Sequence, residues 1–65
     1  MRVTVEVVGG GTETVSLDDP TYADLLEAVD LSPHEASVFV DGTPQPADGT
    51  VTERHVQVVR LVRGG

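Results

Sequence analysis

The sequence contains no cysteine and no lysine. The first absence removes disulfides, thiolate metal sites and any cysteine nucleophile. Sixty-five residues make one small domain. A chain of that size buries only about 60% of the surface its unfolded form exposes, so its stability is marginal and has no cross-link to lean on. No apolar run approaches the ~20 residues of a membrane span. The opening stretch MRVTVEVVGG alternates apolar and polar residues, which is a strand pattern and not a signal peptide. A cytoplasmic location, with no membrane contact, is expected.

The missing lysine is informative because lysine is normally among the commonest residues. Eleven Asp and Glu stand against four Arg, for a formal charge of −7. That excess argues against direct nucleic-acid binding, which needs clustered basic charge. The acids are dispersed, with Asp18-Asp19 the only adjacent pair, so they form no disordered acidic tail. Spread acidic charge without lysine points to a salt-rich cytoplasm. There the Debye length falls to ~3 Å at 1 M salt and self-repulsion is screened.

Catalytic groups are also scarce. His34 and His55 are the only histidines, far apart and without cysteine partners. A metal site would need further ligands at fitting spacing. Ser16, Ser32 and Ser37 lack a nucleophile-elbow context. Gly9-Gly10-Gly11 has neither the helix nor the lysine of a phosphate-binding loop after it, and reads as a turn. A chain this short has little room for a pocket of ~300–1,000 Å³. The protein therefore reads as a non-enzyme with no stably bound cofactor.

What is present is a clear order of elements. Val3, Val5 and Val7 alternate with polar residues in a half-buried strand, and Val15 and Leu17 repeat the pattern after the glycines. Two such strands around a Gly-rich loop predict a hairpin. In DDPTYADLLEAVD, Thr21 can cap a helix with Asp24 three residues on. Tyr22, Leu25, Leu26 and Val29 make one apolar stripe. Ser32, Pro33 and Glu35 repeat the cap logic on a single turn. ASVFV is a strand ended by Asp41-Gly42, DGTPQPADGT carries at most a short edge strand, and HVQVVRLV is the last strand. The reading is α+β. It gives a mixed four- to five-stranded sheet with one helix packed across it, and the first and last strands as a central parallel pair. That is a β-grasp. The domain is expected to span residues 1–62, with residues 63–65 as a flexible Gly-Gly tail.

The last strand also carries the candidate site. If Val56 and Val58 face the core, Val59 and Leu61 face out. If Val38 and Val40 face in, Phe39, the only phenylalanine, faces out beside them. An apolar patch on so acidic a surface asks for a partner. A one-residue slip in register would instead bury Phe39. Beyond the strand, Gly64-Gly65 lacks side chains and accepts most backbone angles, so it can carry a carboxylate into a narrow channel. Arg60 and Arg63 are half the arginines of the chain and are placed to grip an acidic groove or an ATP phosphate. A carboxylate accepts a nucleophile at neutral pH only after activation. Adenylation with ATP supplies that, and the acyl group can then pass to sulfur or to an amine.

The stretches RVTVEVVG, TYADLLEAVDLSPHEASVFVDG and VVRLVRGG closely resemble the small archaeal ubiquitin-like modifier proteins of haloarchaea, over essentially the whole chain. The ThiS and MoaD sulfur carriers and ubiquitin are more distant relatives, and RLVRGG resembles the end of ubiquitin. The resemblance implies a monomeric β-grasp domain activated at Gly65 by a ubiquitin-activating-type, adenylating enzyme that uses ATP and Mg²⁺. It also implies isopeptide attachment to lysines of target proteins. A thiocarboxylate, formed with a sulfur donor, would serve a tRNA-thiolation enzyme. The alternative is a dedicated ThiS- or MoaD-type sulfur carrier for cofactor biosynthesis, without protein conjugation. Lacking lysine, the chain is expected not to form lysine-linked chains of itself.

Overall fold

Alternation along β1 (Arg2–Val7) drives Val3 and Val5 fully into the core, and everything else is built out from that strand. The computed structural model describes residues 1–61. β1 pairs antiparallel with β2 (Gly11–Ser16), with Val3 opposite Val15 and Val7 opposite Gly11. Val8, Gly9 and Gly10 are left as the loop. Gly9 and Gly11 have φ of 80° and 118°, which glycine adopts without a Cβ penalty. The triple glycine is thus a hairpin turn, as its surroundings predict.

α1 (Tyr22–Ala28) begins on Thr21. The Asp24 amide donates to Thr21 Oγ1 at 3.2 Å, and the Thr21 amide donates to Asp24 Oδ2 at 2.9 Å, closing a capping box. The return segment after the fourth strand satisfies the other early amides. Tyr22 N–H donates to Gly49 O at 3.1 Å and Ala23 N–H to Ala47 O at 2.8 Å. No N–H of the first turn is left to hold an anion. The helix ends with Asp30 N–H on Glu27 O and Leu31 N–H on Leu26 O, a Schellman arrangement, with Asp30 at φ 62° where glycine is usual.

The segment Ser32–Glu35 is a single hydrogen-bonded turn, with Ser32 N–H donating to Glu35 Oε1 at 3.1 Å. It leads into β3 (Ala36–Val40), which turns through Asp41 and Gly42 into the three-residue edge strand β4 (Thr43–Gln45). Both turn residues have positive φ, 51° and 80°, as a type I′ turn requires. β5 (His55–Arg60) closes the sheet in the order β2-β1-β5-β3-β4. β1 and β5 run parallel at its centre, and the other pairs are antiparallel. The mixed sheet therefore has five strands, and the expected central pair is there.

Val3, Val5, Val56, Val58, Val38 and Ala36 form the inner face of the sheet. Tyr22, Leu25 and Leu26 of α1 and Val51 of the return segment pack against them. The opposite face has no described element over it. No described helix is long and apolar enough to cross a membrane. The expected boundary between residues 1–62 and 63–65 lies outside the described residues.

Candidate functional site

The register of β3 on β5 decides what the bare face presents. Val38 lies opposite Val58, and both are buried, so their neighbours Phe39 and Gln57, also opposite one another, turn outward. Val59 pairs with Ser37, which sets it diagonally from Phe39 on the same face, within reach of an aromatic ring. Leu61 continues the alternation and is 52% exposed. Its amide donates to Glu35 O at 2.7 Å, so the turn at Ser32–Glu35 fixes the direction in which the chain leaves β5. Phe39, Val59 and Leu61 thus share one apolar surface, and Pro44 of β4 flanks it opposite Phe39.

Arg60 is not part of that surface. It lies opposite the buried Ala36, and alternation puts it on the helix side of the sheet, exposed at the end of the strand. The sequence places Arg60 to grip an acidic groove or an ATP phosphate, and strand parity sets it on the face opposite Phe39. Arg63, Gly64 and Gly65 lie outside the described residues.

Towards β1 the same face becomes polar. His55 is level with Thr4, and Gln57 with Glu6. His55 Nε2 meets Glu6 Oε1 at 3.2 Å across the parallel pair. Both side chains are well exposed, so the pair adds little stability. Between it and Phe39 lies a cleft of about 290 Å³ lined by Phe39, Val40, Asp41, Glu53, His55 and Gln57. Sequence reading missed it. The parallel register that brings Glu6 to His55, and the segment that brings Glu53 beside the β3–β4 turn, are long-range facts. Among the described residues, no three His, Cys, Asp or Glu side chains come together as metal ligands.

A hairpin, a crossover helix and a final strand returned parallel to the first define a β-grasp, ubiquitin-like protein. A computationally designed protein based on human erythrocytic ubiquitin has the same fold, with a TM-score of 0.73 over 98% of this chain and 95% of its own at 19% identity. The chain belongs to the small archaeal modifier protein 2 family, whose profile matches residues 1–62. It is 59% identical to small archaeal modifier protein 2 of Haloferax volcanii over 66 aligned positions, covering 100% of both chains. The crystal structure of that H. volcanii protein is similar at a TM-score of 0.75 and 58% identity, over 97% of each chain. The chain is accordingly a ubiquitin-like modifier.

Proposed function

We propose that this modifier is activated at the Gly65 carboxylate. An adenylating enzyme of the ubiquitin-activating type joins that carboxylate to the α-phosphate of ATP, with Mg²⁺, and releases pyrophosphate. A target lysine amine then attacks the acyl carbon, forming an isopeptide bond and releasing AMP. A donor of sulfide-level sulfur can instead attack the same acyl carbon, forming a C–S bond and releasing AMP, to give a thiocarboxylate that a tRNA-thiolation enzyme consumes. The chain acts as substrate and carrier in both routes and supplies no catalytic residue. Residues 63–65 are the part that enters the enzyme, and the work takes place in the cytoplasm on a monomer.

The observation that carries this reading is the whole-length match to the small archaeal modifier protein 2 family. The uncovered surface of Phe39, Val59 and Leu61 supports it, because it adjoins the point where the chain leaves β5. Docking there would hold the following residues at a set distance from the enzyme's nucleotide site. The test is to incubate the protein with an activating enzyme, ATP and Mg²⁺ and look for acyl-adenylate on Gly65 by mass spectrometry. Adenylate on the full chain and none on a chain lacking Gly65 is the expected result. Absence of adenylate from both would refute the proposal. Conjugates in cell lysate that survive reductant then distinguish the modifier from a carrier of sulfur alone.

A further inference from the structure

We propose that the cleft beside Phe39 receives one basic side chain, arginine in preference to lysine, from the protein that docks on this face. The inference rests on the reading of the Phe39 face as the docking surface. It adds the chemistry of the partner's anchoring residue.

The cleft measures about 290 Å³, below the range of most small-molecule pockets and suited to a single long side chain. Phe39 gives it an aromatic wall, Gln57 an amide, and Asp41 and Glu53 two carboxylates. Both carboxylates are exposed, and among the described residues neither has an ion-pair partner. The Gln57 carboxamide likewise makes no hydrogen bond among the described residues. The one other titratable group on the wall, His55, has Nε2 engaged by Glu6 at 3.2 Å. Asp41 is held in place by its backbone, since it occupies the first corner of a two-residue turn between the paired residues Val40 and Thr43.

This arrangement selects against anions, because two carboxylates line a cleft on a chain of net charge −7. A purely apolar anchor would leave the carboxylates and the amide facing it without partners. A guanidinium meets all three demands. Its plane stacks on an aromatic ring, and its fork of donors reaches carboxylate and amide oxygens together. A lysine ammonium offers a point charge and no stacking plane.

The experiment is a titration of the isotope-labelled full chain, followed by backbone amide NMR. The probe is the blocked tripeptide acetyl-Gly-Arg-Gly-amide, with its neutral citrulline and its leucine counterparts alongside. The arginine peptide should give saturable shifts at Phe39–Gly42 and Glu53–Gln57, and the citrulline peptide should bind at least about threefold more weakly. The double substitution Asp41→Asn, Glu53→Gln should weaken arginine binding by a similar factor. Asparagine tolerates the positive φ at position 41, so the turn is kept. Phe39→Leu should cost about two- to fivefold. The proposal is overturned by any of three results: no saturable shift, equal binding of the citrulline or leucine peptide, or binding that the double substitution leaves intact. None of these involves the activating enzyme. Normal adenylation alongside a negative titration removes the arginine assignment alone, whereas lost adenylation counts against the modifier reading.

Discussion

Phe39 on β3 stands directly across from Gln57 on β5, one step from the buried pair of Val38 and Val58. That step puts the phenylalanine of this chain on the face no helix covers, together with Val59 and Leu61. Leu61→Asp places a carboxylate in that surface without touching the core. It should raise the KM for adenylation by about tenfold, which corresponds to ~1.4 kcal/mol at a modest hot spot. The melting temperature should barely move, since exposed substitutions usually cost under ~0.5 kcal/mol. Arg60→Ala lies on the other side of the sheet, so the KM should change by less than about threefold. Equal effects from the two substitutions would argue that the enzyme reads both faces.

Thr21 tests how the helix is started. Its side chain accepts from the Asp24 amide at 3.2 Å. Thr21→Ala removes that acceptor and should cost about 1 kcal/mol. In a domain this small that lowers the melting temperature by about 4–8 °C. The loss should stop there, because Gly49 O and Ala47 O still hold the amides of Tyr22 and Ala23. Amide exchange should therefore quicken at Asp24 more than at its two predecessors.

At the far end of the same helix, Asp30 carries two local penalties. It sits at φ 62°, which glycine adopts more easily, and its charge meets the negative end of the helix dipole, with no basic residue in the last turn to offset it. Asp30→Gly should stabilise the fold by about 0.5–1 kcal/mol, after allowing for the greater freedom of glycine in the unfolded chain. Asp30→Asn removes only the charge and should give a smaller gain. Chemical denaturation reads both, with an unchanged m-value expected. A destabilised glycine variant would mean that Asp30 has a role the helix end does not explain.

These sites also show which parts of the molecule were legible in the sequence. Alternating valines gave β1 and β5 and their inward faces, because a half-buried strand has to repeat every second residue. Thr21 and Asp24 announced the capping box because it is made by residues three apart. Phe39, Val59 and Leu61 followed from the same parity, once β3 and β5 were taken as neighbours. What stayed hidden depends on segments distant in sequence. Nothing local in PADG says that its carbonyls cap a helix more than twenty residues earlier. The helix end was obscured because aspartate stands where a glycine would signal it. Glu6 and Glu53 carried no signal of their own, and Asp41 read only as a turn residue, until the parallel register and the β3–β4 turn gave them neighbours. Arg60 stood out by its charge, but the face it takes follows only from its pairing with the buried Ala36.

Salt should stabilise this protein. Among the described residues no arginine–carboxylate bridge forms, and the one contact of a basic side chain with a carboxylate is His55 Nε2 with Glu6 Oε1. The acidic excess behind the −7 charge is therefore left to repel itself across a small surface. Raising KCl from low to molar concentration shortens the screening length from ~30 Å at 0.01 M to ~3 Å at 1 M. The melting temperature should climb steadily over that range. A flat or falling curve would show that the acids are already accommodated and would remove the argument for a salt-rich setting. Repeating the scan with sucrose in place of salt separates screening from the general effect of excluded cosolutes.

The absence of lysine bears on what conjugation can build. An isopeptide bond needs an amine on the acceptor, and no side chain here supplies one. The α-amine of Met1 is itself engaged, donating to Leu17 O at 2.6 Å in the continuation of the β1–β2 ladder. Each modified lysine on a target should therefore carry a single copy of this chain. Gel ladders of one target should collapse step by step as its lysines are replaced by arginine, with one band lost for each. Digests of purified conjugates should show Gly-Gly remnants on target peptides and none on peptides of this protein. A remnant on Met1, in conjugates heavier than the target's lysines can account for, would show that the amine leaves Leu17 to act as an acceptor. The substitution Glu27→Lys, at an exposed position on α1 away from the Phe39 face, supplies the positive control. If side-chain amines are all that is missing, that variant should yield copy-to-copy linkages which the unaltered chain does not.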